Sequence, residues 1–258
     1  MPIMVGAMMR RLTRPDLPRI EVYGDESMKR GQYDLLGGLW IRAGDAAGFR
    51  AEIADIRATS PGPGQMDEIK WTKCSGNAEK PVIASVVDRT MERIRDGTLE
   101  FKCLVVDRSL VDNRAWNDGD RELGFYKAWS ILLFSKMRAG YVYRIKLDAR
   151  QLQNQSRLED LRDVLNAKGY RDLGLDYPCC GSLEGADSKK DDMVQIADLL
   201  TGAVGYHYCG GHDAPGASPG KILTAERIAR HLSRPSLCYE ASSSEQRFNV
   251  WKWRPRRR

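Results

Sequence analysis

The alternation of apolar and polar positions along the 258-residue chain marks out regular elements. Arg19 to Tyr23 alternates with β-rich residues and predicts a strand that stops at Gly24-Asp25-Glu26-Ser27. Tyr33 to Arg42 predicts a second strand with a central glycine pair. Asp45 to Ala58 has helical spacing through Phe49, Ile53 and Ile56, with Asp45 as its cap. The SPGPG run at 60–64 is a loop, and a helix follows over 79–95. Leu99 to Asp107 predicts a third strand, 121–139 a strongly apolar helix, and Tyr141 to Asp148 a fourth strand. Leu158 to Ala167 is an amphipathic helix that stops at Gly169. A short strand at 177–183 and a helix at 191–206 come next. A glycine- and proline-rich loop at 210–220 leads to a helix at 222–232, and 247–253 closes as a strand. The order β-β-α-α-β-α-β-α-β-α-α-β is that of a layered α/β protein.

Charge changes this picture less than the total suggests. The formal net charge is +6. Arg10, Arg11 and Arg14 against Asp16, together with Arg254, Arg256, Arg257 and Arg258, account for all of it. The organisation expected is a flexible basic arm at 1–18, one domain over 19–253 and a basic tail at 254–258. The domain itself is neutral, so a pI near 9 describes the two ends and not a basic binding face. No run of eighteen uncharged apolar residues is present, which argues against a membrane span. The apolar start precedes its arginines, the wrong order for a secretory signal. Six cysteines without paired spacing fit free thiols in a reducing cytoplasm.

The candidate chemistry lies in carboxylates. Asp25 ends the first predicted strand and Asp148 the fourth. If those strands are parallel neighbours, both open on the edge where α/β sheets bind ligands. Asp198 follows Asp191 and Gln195 at i, i+4 and i+7 on an otherwise apolar helix, where an unpartnered carboxylate is costly to bury. Clustered carboxylates repel unless a cation holds them, and oxygen-only sets suit Mg²⁺ or Mn²⁺. A strand-ending aspartate also serves as a turn residue or cap, so spacing leaves both roles open.

Four segments together resemble a known family. They are Tyr23-Gly24-Asp25-Glu26-Ser27, the strand with Gly37-Gly38, Glu68-Ile69-Lys70-Trp71, and Gln195-Ile196-Ala197-Asp198-Leu199-Leu200-Thr201-Gly202-Ala203-Val204. The chain resembles, over about 19–253, the proteins grouped as domain of unknown function 3800, placed with the ribonuclease H-like superfamily. The resemblance implies a mixed sheet of three antiparallel strands followed by helix-linked parallel ones, flanked by helices. A helical insertion would separate the second and third strands, and a C-terminal extension would follow. It implies metal binding by Asp25, Asp148 and Asp198, with Glu68 or Glu26 as a fourth carboxylate. Lys70 would orient a phosphate or an attacking water. Asp107, Asp191 and Asp192 are rivals for those places.

Two functions follow as expectations. One is a Mg²⁺- or Mn²⁺-dependent nuclease acting on RNA or DNA, with Asp25, Glu68, Lys70, Asp148 and Asp198 as its catalytic set. The other is a non-catalytic nucleic-acid- or protein-binding module on the same scaffold. Weaker patterns have blander accounts. His207, Cys209 and His212 offer an incomplete zinc set. The glycines around Lys221 are spaced wrongly for a phosphate loop. Trp251 and Trp253 alternate as one packed face of a strand, although aromatics near arginines also stack bases.

Overall fold

The computed structural model describes residue 14 and residues 16–28, 31–60, 68–149, 155–242 and 244–255. Most of the basic arm at 1–18, the end of the tail at 254–258 and most of the 60–64 loop lie outside the described residues.

Six strands form one mixed sheet: β1 (Arg19–Met28), β2 (Tyr33–Arg42), β3 (Leu99–Asp107), β4 (Val142–Asp148), β5 (Cys180–Ala186) and β6 (Phe248–Lys252). Their order across the sheet is β5-β4-β1-β2-β3-β6. β1, β2 and β3 run antiparallel as a meander. β4 pairs parallel to β1, β5 parallel to β4, and β6 parallel to β3 on the far edge. This is the ribonuclease H-like arrangement expected above. The insertion between β2 and β3 holds α1 (Ala43–Thr59), a 3₁₀ turn (Trp71–Cys74) and α2 (Pro81–Asp96). Then come α3 (Asn113–Asn117), α4 (Arg121–Phe134), α5 (Gln155–Asp172), α6 (Asp192–Tyr208) and α7 (Pro219–His231).

Strand alternation sends successive residues to opposite faces of the sheet, and each face is covered. Tyr23, Leu35, Leu39 and Phe101 pack under α1, α2, α6 and α7 in one core. Val22, Leu36, Leu104, Ile145 and Leu147 pack under α4 and α5 in a second. β2 is buried almost throughout because it lies between both layers. Two glycines let α6 sit deep. A Cβ at Gly37 would collide with Thr201, and one at Gly202 with Trp71. Replacing either with alanine is expected to cost about 1–3 kcal/mol by overpacking.

Several boundaries differ from the sequence expectation, each for a physical reason. β1 does not stop at Gly24 but runs on to Met28, because its pairing with β2 continues through Asp25↔Gly37 and Ser27↔Leu35. α1 starts at Ala43, so Asp45 sits in the first turn facing the helix dipole and is not the cap. α4 ends at Phe134 and not at 139. Lys136 beyond it is drawn into the interior by Glu100 (2.5 Å) and the Gln246 carbonyl (2.7 Å). α5 does not stop at Gly169. That glycine makes room for the Cys179 thiol, and the left-handed turn falls at Gly174 instead. β5 starts at Cys180 and not at 177, where it joins Tyr143 of β4.

Candidate active site

The site is built at the edge where β1 and β4 end. The last β1–β4 pair is Gly24↔Leu147, so Asp25 and Asp148 stand one step further on at the same level of neighbouring parallel strands. Neighbouring strands are about 4.8 Å apart. Alternation places Asp25 with Tyr23 on the α6 side. Asp148 alternates with Leu147, which packs on the other side, so it shares that side. Both carboxyls are nearly buried, at 4% exposure. α6 crosses this face and delivers Asp198 from its second turn.

Asp198 meets two partners there. Its Oδ2 accepts the Trp71 backbone N–H at 2.7 Å. Its carboxyl also faces that of Asp25, near enough for each to act on the other's ionisation. Burial pushes Asp25 well above the ordinary carboxylate range, and Asp198, Glu26 and Asp148 push it further. Burial raises Asp198 too, opposed by the Trp71 N–H and by Lys70. Glu26, also buried, is pushed up to about 8 by burial and then by Asp148. Its Oε2 has no hydrogen-bond partner among the described residues.

The segment Glu68-Ile69-Lys70-Trp71 is held against α6 by two backbone bonds. Ile69 N–H donates to Gln195 Oε1 (2.7 Å) and Trp71 N–H to Asp198. The segment is extended, so Ile69 and Trp71 enter the core while Glu68 and Lys70 share the other side. Glu68 lies 3.6 Å from Lys70 Nζ and 3.6 Å from Lys73 Nζ. Lys70 is near enough to pull electrostatically on both Glu26 and Asp198. Gln195 is saturated: its amide donates to Ser188 O (2.7 Å), and Oε1 also accepts from Arg57 (2.7 Å).

Asp25, Glu26, Asp148, Asp198 and Lys70 are therefore electrostatic neighbours, with Glu68 joined to them through Lys70. The rivals are placed elsewhere. Asp191 caps α6 and meets Arg50 (3.2 Å) and Lys146 (3.4 Å). Asp192 meets Arg57 at 2.5 Å. Asp107 caps the turn after β3 and accepts from Gln32. Sequence reasoning missed the latch that Gln195 and Asp198 make on 69–71. Its signal was available: two acceptors at i, i+3 on a helix match two N–H groups at i, i+2 of an extended segment.

Among the described residues, no three His, Cys, Asp or Glu side chains already stand as a set that could hold a metal ion. The acids are gathered in charge, not arranged in coordination. His207 Nδ1 accepts the Leu237 N–H (2.8 Å), and His212 pairs with Asp213 (3.2 Å), so both serve loop structure. All six cysteines are free thiols. Trp251 and Trp253 pack against the second core. Among the described residues no helix is long and apolar enough to cross a membrane.

No family model matches the chain, and no curated protein matches it. Among solved structures, the ribonuclease H2 from Pyrococcus horikoshii OT3 is similar with a TM-score of 0.39 and 13% identity, over 83% of this chain and 100% of that one. So distant a likeness adds nothing to the fold assignment, which stands on the order and directions of the six strands.

Proposed function

We propose that the chain is a divalent-metal-dependent nuclease, hydrolysing phosphodiester bonds in nucleic acid at the β1–β4 edge. The family resemblance set out above points the same way. The observation that carries the reading is the burial of Asp25, Glu26 and Asp198 against one another beside Asp148. Carboxylates held this close resist ionisation unless a cation accompanies them. The donor set is all oxygen, as Mg²⁺ and Mn²⁺ require, and Glu26 Oε2 is a buried acceptor without a donor among the described residues. Asp25, Asp148 and Asp198 would hold one or two such ions, with Glu26 or Glu68 as the fourth carboxylate. When bound, these ions supply a water activated at neutral pH and charge stabilisation for the departing oxygen.

The chain's own residues do the rest. Burial and its acidic neighbours keep Asp25 largely protonated near neutral pH, and a cation held there would favour its ionised form. Lys70, steadied by Glu68, offers a cation to a non-bridging phosphate oxygen or orients a water. Gln195 and Asp198 fix the segment that carries Lys70. The test is cleavage of RNA, DNA and hybrid substrates with Mg²⁺ or Mn²⁺. Wild type is expected to cut at least one, and Asp25→Asn none. Equal activity in the two proteins overturns the reading.

One observation favours the second reading, a non-catalytic binding module. Asp198 already has a structural task, accepting the Trp71 N–H. On that reading wild type binds nucleic acid without cutting it, and Asp25→Asn binds equally well.

A further inference from the structure

A second cluster of charge lies away from the carboxyl site. α2 and α7 leave the 3₁₀ turn together: Gly220 N–H donates to Gly76 O (2.9 Å) where α7 begins. At their far ends Asp88, Arg95, Arg227, Arg230, His231 and Ser233 line a cleft of about 330 Å³. The one carboxylate in that lining is occupied. Asp88 accepts from Arg227 (3.0 and 3.2 Å) and from His231 Nε2 (2.7 Å), and Arg227 also reaches Glu79 (2.8 Å).

The other two arginines are not matched in this way. Arg95 Nη2 lies 2.9 Å from His231 Nδ1, so it meets an imidazole nitrogen and not an acid. Arg230 is exposed, and its guanidinium has no hydrogen-bond or ion-pair partner among the described residues. The contrast with Arg93, two residues away on α2, is direct, since Glu52 and Asp96 both bind that side chain. Two guanidinium groups without a carboxylate face one cleft, with the Ser233 hydroxyl beside them. Guanidinium matches phosphate in charge and in the fork of its donors.

We propose that this cleft is an anion site that takes a phosphate group of a nucleic-acid strand, held by Arg95 and Arg230. The choice of a nucleic-acid strand rests on the nuclease reading; the arginines themselves ask only for phosphate. α7 sets the distance between the two sites. Lys221 near its start lies 5.5 Å from the ring centre of Trp71, whose N–H binds Asp198. His231 is ten residues further, about 15 Å at the rise of an α-helix. Phosphates of a B-form strand advance about 3.4 Å each along the axis, so roughly four to five of them span α7 from Lys221 to the cleft, and the carboxyl edge lies beyond Trp71. A strand engaging both must be longer than that.

The experiment measures binding of a fluorescent 12-nucleotide strand to the full chain in EDTA at several salt concentrations. Wild type is compared with Arg95→Gln/Arg230→Gln and with Arg171→Gln, an exposed arginine on α5. The double variant is expected to bind about tenfold more weakly, with the slope of log affinity against log salt reduced by about 0.7, as for one phosphate of a single strand. Arg171→Gln should match wild type. Equal 12-nucleotide binding by all three proteins, or none by wild type, overturns the proposal. If inorganic phosphate displaces the strand at equal concentration, the cleft serves the free ion, and the nucleic-acid assignment is overturned. Because no divalent cation is present, the outcome is separable from the nuclease test. Absent cleavage with an intact arginine effect overturns only the catalytic reading, and the converse overturns only the cleft.

Discussion

Two sets of carboxylates meet at one helix, α6, and they are treated in opposite ways. At the start of α6, Asp191 is met by Arg50 and Lys146 and Asp192 by Arg57. Two turns later Asp198 faces Asp25, in reach of the fields of Asp148 and of a lysine already shared with Glu68. The first set shows that this fold brings cations to acids where only stability is at stake. The second concentrates like charge in a buried place, and burial plus repulsion raises Asp25 and Glu26 far above ordinary carboxyls. Such an arrangement costs stability, and its retention is what a cation-dependent site requires.

The largest effect that separates the two sets is catalytic. Asp25→Asn should lower metal-dependent cleavage by about three orders of magnitude, roughly 4 kcal/mol of barrier. In EDTA above about pH 9, where Asp25 would ionise, the same variant should be more stable than wild type, because one repelling charge is gone. An Asp25→Asn chain that unfolds more readily would place Asp25 with the structural acids.

Next comes Gln195→Ala, expected to cost about 3 kcal/mol in denaturant unfolding. It leaves the Ile69 N–H buried without an acceptor and frees Arg57 and Ser188 O. Cleavage should fall with it, since the segment carrying Glu68 and Lys70 loses half its latch.

The acid cluster also predicts a pH dependence of opposite sign to the usual carboxylate. A carboxyl whose folded pKa is raised favours the fold below its unfolded pKa, and that contribution is lost as pH rises through the folded value. For Glu26 the window runs from about 4.5 to about 8. The chain in EDTA should therefore lose on the order of 2 kcal/mol between pH 5 and pH 8, read from thermal midpoints. A flat profile would mean that the acids are compensated as well as Asp191 is.

The smallest effect applies the same rule to a cation. Lys102 lies over the Trp251 ring at 3.9 Å and is pushed down to about 8 by burial, with Lys136 adding to the shift. Below that pH the fold carries a half-buried charge. Lys102→Met should gain about 1 kcal/mol at pH 7, offset in part by the lost cation–π contact, and the gain should vanish above pH 10.5.

Most of the architecture was legible in the order of strands and helices, because apolar period distinguishes the two directly. The ends were less so. Gly24 and Gly169 read as stops by conformational preference, yet both continue their elements because a missing Cβ makes room for Trp129 and for Cys179. That requirement belongs to packing, which a single chain position does not reveal. For the site, Asp148 at the end of its strand was legible and the resemblance implied that β1 lies beside it, but that β1 runs on past Asp25 was not. Nor was the neutralisation of Asp191 and Asp192, since Arg50 and Arg57 lie more than a hundred residues away in sequence. The arginine cleft was hidden for the same reason: Arg95 and Arg230 come from different helices, in a domain whose summed charge is zero.

The most direct test of the central claim is the thermal midpoint of wild type and Asp25→Asn at pH 8 as Mn²⁺ is added to metal-free protein. If buried carboxylates at the β1–β4 edge await a cation, the midpoint of wild type rises with Mn²⁺ by several degrees, and that of Asp25→Asn stays nearly level. No rise in wild type, or the same rise in both, contradicts it.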